Sequence, residues 1–209
     1  MKVSDLRNNI NKIESSFLPP PNPIGTYSEK EALGINAYIS LVHSEIENFI
    51  EAEVLQVCNL SVNQYETNGT INKVILGLLC FSGLTYEIPP ESKHIQNIDK
   101  LSIENKIKKA RDLFNNIVRT KNNGIKEKNI LSMLLPIGFS IDDIDDLFLT
   151  EMNDFGKQRG EIAHTSNIAI VTNNQIDPYI IKRRITSIVN QLELIENNIS
   201  SYIAPLQLI

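Results

Sequence analysis

The chain has 209 residues, 42% of them hydrophobic and 22% charged, with a net charge of −5. That composition supports a folded core and excludes global disorder. The acidic balance disfavours a protein that coats nucleic acid by bulk charge, although a local basic patch remains compatible with it.

Only two cysteines occur, Cys58 and Cys80, both in apolar surroundings. They are read as small core residues, with a disulfide between them as the alternative. The first residues, Met1 to Arg7, contain no apolar run of the kind a signal peptide needs. The longest apolar-rich stretch, Val74 to Leu84, is too short to span a bilayer. A cytoplasmic protein with no membrane partner is expected.

In chain order, Val3, Leu6, Ile10, Ile13 and Phe17 recur at helical spacing and predict a short amphipathic helix. Pro19-Pro20-Pro21-Asn22-Pro23 stops it. Residues 1–27 are therefore expected to be an N-terminal helical arm and Pro-rich spacer, and 28–209 the main helical domain. The arm either packs on its own chain or reaches a second subunit.

Ser28 followed by Glu31 forms a capping-box pattern ahead of a long helix expected to run to about Cys58. Its apolar face is read as Leu33, Ala37, Leu41, Ile46, Phe49, Ile50, Val54 and Val57. His43, Glu47 and Glu51 recur at fours and form a polar stripe. Asn59 to Gly69 reads as a loop, and Ile71 to Leu84 as a short apolar helix. Pro89-Pro90 opens a turn-rich stretch containing His94, up to Lys100.

Residues 102–121 predict another amphipathic helix, stopped by Asn122-Asn123-Gly124. A short helix follows from Ile125 to Leu135. Ser140 is expected to cap the next helix, with Asp142, Asp143, Asp145 and Asp146 at its positive end. Ile144, Leu147, Phe148 and Phe155 would be its buried stripe. Residues 165–176 read as a loop or short extended piece, and Pro178 to Ile203 as the last helix. The fold class is all-α, with five to seven helices.

No His or Cys spacing suits zinc, and no metal or other cofactor is expected. Gly156-Lys157 is not a P-loop, because Glu151 and Gln158 stand where that motif requires Gly and Ser or Thr. Arg159 and His164 carry the remaining chemistry, a permanent cation beside a group that titrates near neutrality. Cleavage of RNA by its own 2′-hydroxyl needs a proton acceptor and a cation to offset charge on the phosphorane. It needs no metal, since the nucleophile already adjoins the phosphorus.

Five residues on a straight helix rotate by about 140°. The helix must therefore break near Gly160, or the site must be built from two copies. The bland alternative makes Arg159 a surface cation and His164 a cap or core residue.

The segment Arg159-Gly160-Glu161-Ile162-Ala163-His164, late in an all-helical chain, resembles the Arg-x₄₋₆-His motif of the HEPN superfamily. The helix from Asn36 to Glu51 is similar to the early helix of the RiboL-PSP-type branch. The resemblance covers residues from about 28 to 203. It implies a HEPN-like helical bundle and a homodimer with two motifs facing each other. It also implies a metal-independent endoribonuclease leaving a 2′,3′-cyclic phosphate, in a toxin–antitoxin or anti-phage system with a possible antitoxin or other defence-system partner. Carried over by position, Arg159 would stabilise the phosphate and His164 would act as base or acid.

The chain departs from the pattern at Gly160, where many members have a polar residue; Glu161 or Glu47 could take that auxiliary role. Ser166 stands where adenylylation-silenced members have Tyr. A non-catalytic dimerisation or RNA-binding module is the alternative function, and an unrelated helical adaptor a third. Residues 100–130 carry nine Lys or Arg against Glu104, Asp112 and Glu127, and Lys182-Arg183-Arg184 add to them. This excess is either a solvated face or a guide for RNA phosphates.

Overall fold

The computed structural model describes residues 2–22, 24–84, 102–164 and 177–206. His94, Pro89-Pro90, Ser166 and the segment 165–176 lie outside them. The described residues form seven α-helices and no strand: α1 (Val3–Phe17), α2 (Glu29–Asn68), α3 (Lys73–Phe81), α4 (Ile103–Asn116), α5 (Glu127–Leu134), α6 (Asp146–His164) and α7 (Pro178–Ile203). None of these helices is long and apolar enough to cross a membrane.

The chain divides into two compact units. The first comprises residues 1–52, 124–130 and 144–197. The expected capping box opens α2: the Ser28 N–H and hydroxyl both donate to the Glu31 carboxylate, at 2.8 and 2.7 Å, and the Ser28 hydroxyl accepts from the Glu31 N–H at 3.4 Å. These bonds hold the Glu31 carboxyl below its usual pKa.

Helix α1 packs on this unit's own helices, with Val3, Leu6 and Ile10 buried. Its polar contacts run antiparallel to α7. The Val3 N–H donates to Glu196 at 3.3 Å, Arg7 pairs with Glu193 at 2.6 Å, and Lys182 pairs with Glu14 at 2.6 Å. Packing on its own chain is thus the arrangement the structure contains.

The buried face of α2 in this unit is Ile35, Tyr38, Ile39, Val42, Ile46, Phe49 and Ile50. Leu33 and Leu41, expected in the core, are 39% and 41% exposed, because they lie about 130–150° around the helix from the packed stripe. Asp145 caps α6, its Oδ1 accepting the Phe148 N–H at 2.9 Å. Ser140, the expected cap, instead closes a short 3-10 turn at Ile141–Asp143 by donating its N–H to Asp143 at 3.0 Å. Leu147 is 62% exposed, and Leu149 and Met152 take its expected place beside Phe148 and Phe155.

The second unit comprises residues 53–123, 131–143 and 198–209. Here α2 continues to Asn68, through the segment expected to be a loop. The segment is polar in composition, but Val54, Val57, Cys58, Ser61 and Val62 are buried at spacings of three and four. Packing therefore outweighs composition. Gly69, at φ +74°, ends the helix with its N–H on the Tyr65 carbonyl at 2.8 Å.

Asn72 caps α3, accepting the Ile75 N–H at 3.0 Å and donating to the Ile203 carbonyl at 3.2 Å. Gly77 lets α3 approach Pro136; a Cβ there would lie 2.6 Å from the Pro136 carbonyl oxygen. Helix α4 ends in a single π turn, Ile117–Lys121. Cys58 is buried and Cys80 exposed, and both are free thiols.

Candidate active site

The motif lies in the first unit, at the C-terminal end of α6. Helix α6 is continuous from Asp146 to His164 and does not break at Gly160. Gly160 has no positive φ, and a Cβ added there would meet nothing within 4 Å. Of the two routes the spacing left open, the break is therefore not taken. On one copy of α6, Arg159 and His164 are separated by about 140° around the axis and by about 7.5 Å along it. Both are exposed. The Arg159 side chain makes no hydrogen bond or ion pair with a described residue, and His164 is the last residue of the helix.

The face of α6 that carries Arg159 also carries Phe155 and Gly156, four and three residues earlier. Phe155 is fully buried and its ring tilts against His43 of α2, with centroids 6.0 Å apart. His43 is 3% exposed, and its Nδ1 has no hydrogen-bond partner. Burial first, and then the nearby charge of Arg159, push its pKa down to about 4. His43 is therefore neutral at pH 7, a core side chain beside the motif.

Glu47, one turn further along α2, accepts the backbone N–H of Gly124. Burial raises its pKa, while the Gly124 bond and the charge of Arg159 oppose the rise and Glu51 adds to it. Glu47 is thus a half-buried carboxylate within reach of the Arg159 charge. Glu161 is exposed on α6.

A third element completes the junction. Residues 124–130 form a strap that begins at Gly124, at φ +119°. Ile125 and Ile130 are buried, which anchors it. Lys126 lies against α6 at Gly156, where a Cβ would stand 2.9 Å from the Lys126 Cγ and 3.5 Å from its backbone nitrogen. Gly156 is therefore a packing glycine. An isolated glycine inside a helical pattern is the sequence signal that could have found it.

Helix α7 reaches the same helix through Arg184, whose Nη1 donates to the Gln158 Oε1 at 3.2 Å. Among the basic residues counted in the sequence, Lys108 and Arg111 are paired with Glu66 and Asp112 in the second unit, and Lys182 is paired with Glu14. Lys126 makes no ion pair with a described residue. Among the described residues, no group of three or more His, Cys, Asp or Glu side chains is arranged to hold a metal ion.

A scan against protein families matches the RiboL-PSP-HEPN model to residues 3–201. The chain belongs to the RiboL-PSP-HEPN family. No curated protein and no solved structure matches it. The family match begins within α1, whereas the resemblance legible in the sequence began near residue 28. The matched range includes the segment Pro19-Pro20-Pro21-Asn22-Pro23 that follows α1. The RiboL-PSP-HEPN assignment also accounts for the all-helical fold.

Proposed function

We propose that this protein is a metal-independent HEPN endoribonuclease that cleaves RNA through attack of a 2′-hydroxyl on the adjacent phosphate. The reaction loses the 2′-proton to a base, forms the O2′–P bond, breaks the P–O5′ bond and returns a proton to the leaving 5′-oxygen. It yields a 2′,3′-cyclic phosphate and a 5′-hydroxyl. His164 serves as base or acid, and Arg159 offsets the charge that grows on the phosphorane. The observation that carries this reading is the exposure of both side chains at the end of α6, in a chain matched to a HEPN family over residues 3–201.

Because α6 is continuous through Gly160, one copy does not converge the two groups. The reading therefore includes a homodimer in which Arg159 of one protomer and His164 of the other face the same phosphate. In this reading Glu47, whose carboxylate feels the Arg159 charge, is one auxiliary candidate and Glu161 the other. A cytoplasmic toxin–antitoxin or anti-phage role, with an antitoxin or defence-system protein as partner, is the setting proposed.

The test is cleavage of single-stranded RNA in excess EDTA, with cyclic-phosphate ends identified. Arg159→Ala and His164→Ala should each lower the rate by about 10²- to 10⁴-fold while retaining the helical fold. Cleavage that follows added metal would sink the proposal.

A second reading is a non-catalytic HEPN dimerisation or RNA-binding module within a larger defence complex. Gly160 favours it, since no polar side chain follows Arg159. It predicts tight dimers and no turnover whatever residue stands at 164.

A further inference from the structure

We propose that Lys126 is a second phosphate-binding cation of the RNA site, holding the phosphodiester next to the one that is cut. The inference rests on reading the α6 end as an RNA site, and it names a contact that the Arg-x₄-His motif does not contain.

Three observations place Lys126 there. Its stem lies on α6 at Gly156, the one residue type that leaves room, since a Cβ would come within 2.9 Å of the Lys126 Cγ. Gly156 and Arg159 are three residues apart, so they share a helix face with about 5–6 Å between neighbouring side-chain origins. The strap is also tied from the other side. The Gly124 N–H, two residues before Lys126, donates to Glu47, and the charge of Arg159 acts on that same carboxylate.

Lys126 is exposed and makes no ion pair with a described residue. Two other cations at α6 are engaged: Arg184 donates to Gln158, and Lys157 lies 3.7 Å from Asp154. An ammonium group on a long stem beside a guanidinium suits successive phosphates of one strand, which carry one charge each. Nothing in this geometry reads a base, so the contact supplies affinity and register without sequence preference.

The experiment measures binding of a fluorescent single-stranded RNA as a function of salt, using full-length His164→Ala protein so that RNA is not consumed. Lys126→Ala on this background should weaken binding about fivefold at low salt. It should also lower the slope of log K against log salt by about 0.7, the value for one phosphate contact on a single strand. Lys126→Arg should restore both. Lys128→Ala removes the same charge from the same strap and should change binding less than twofold.

Unchanged binding in Lys126→Ala, an equal loss in Lys128→Ala, or no RNA binding by the parent protein would each overturn the inference. The two proposals fail separately. Lys126-dependent binding without cleavage by the wild type removes the nuclease reading alone. Cleavage that depends on Arg159 and His164 but is indifferent to Lys126 removes this one alone.

Discussion

The Nδ1 of His43 stands 3.7 Å from the Oε2 of Glu47, one helical turn along α2, and at neutral pH the contact is not an ion pair. Burial and the Arg159 charge keep the imidazole neutral, with a pKa of about 4. Burial pushes the Glu47 carboxyl up. The junction of α2, α6 and the 124–130 strap is therefore a place where protonation and folding are linked.

His43 should make stability fall with acid. Its folded pKa lies below the unfolded value of about 6.5, so the unfolded chain binds the proton first. Its contribution is complete above pH 6.5 and is lost as pH falls towards 4. Between pH 7.5 and pH 5 the loss is about 2 kcal/mol. Glu47 works in the opposite sense, because its raised folded pKa favours the native state as pH falls towards 4.5. Urea unfolding across this range should show a flatter profile in His43→Leu and a steeper one in Glu47→Gln. An unchanged slope in His43→Leu would remove His43 as the source.

Three helical glycines should respond differently to a methyl group. At Gly160 nothing lies within 4 Å of the new Cβ, so Gly160→Ala should stabilise by about 0.5–1 kcal/mol. At Gly156 the nearest atom is the flexible Lys126 Cγ at 2.9 Å, and Gly156→Ala should cost about 1 kcal/mol. At Gly77 the obstacle is backbone, the Pro136 oxygen at 2.6 Å, and Gly77→Ala should cost about 2–3 kcal/mol. Denaturation midpoints check this order. A destabilised Gly160→Ala would mean that this face of α6 is covered in the native protein.

Asn72 should be a stability position of the second unit. Its side chain is fully buried, accepts the Ile75 N–H and donates to the Ile203 carbonyl. Asn72→Ala leaves buried groups unpaired and should cost about 2–3 kcal/mol. Asn72→Asp keeps the cap acceptor but loses the donor, and should fall between. Amide exchange of the Ile75 N–H would report the loss of the cap directly.

Mixed dimers should report how the proposed site is shared. If Arg159 and His164 meet across two protomers, combining Arg159→Ala with His164→Ala chains gives a heterodimer with one intact site and one doubly altered site. Random exchange should then recover up to about one quarter of wild-type activity, since half the dimers are mixed and each has one working site. If both groups act within one protomer, mixing recovers nothing.

Much of this fold was legible because it depends on local rules. Helical spacing from Val3 to Ile10, the Ser28–Glu31 capping box, the Asn122-Asn123-Gly124 stop and Pro178 at the start of α7 are each decided by residues within a turn of one another. The motif was legible as a pair of residue types at a spacing. What was misread depended on distant partners. The polar segment 59–68 is helical because Ser61 and Val62 are buried. Leu33, Leu41 and Leu147 are exposed because the neighbouring helices lie on other faces.

By itself, the sequence determined the all-helical class, most helix ends and the Arg159–His164 spacing, because capping, glycine and proline effects and periodicity act over one or two turns. Only the tertiary structure decided that α6 runs unbroken through Gly160, that α1 lies antiparallel to α7, and that His43 is a buried neutral side chain against Phe155. It alone brought Lys126 onto Gly156, thirty residues away in the chain. Desolvation and close approach arise between segments remote in sequence, and no local pattern records which remote segment will arrive.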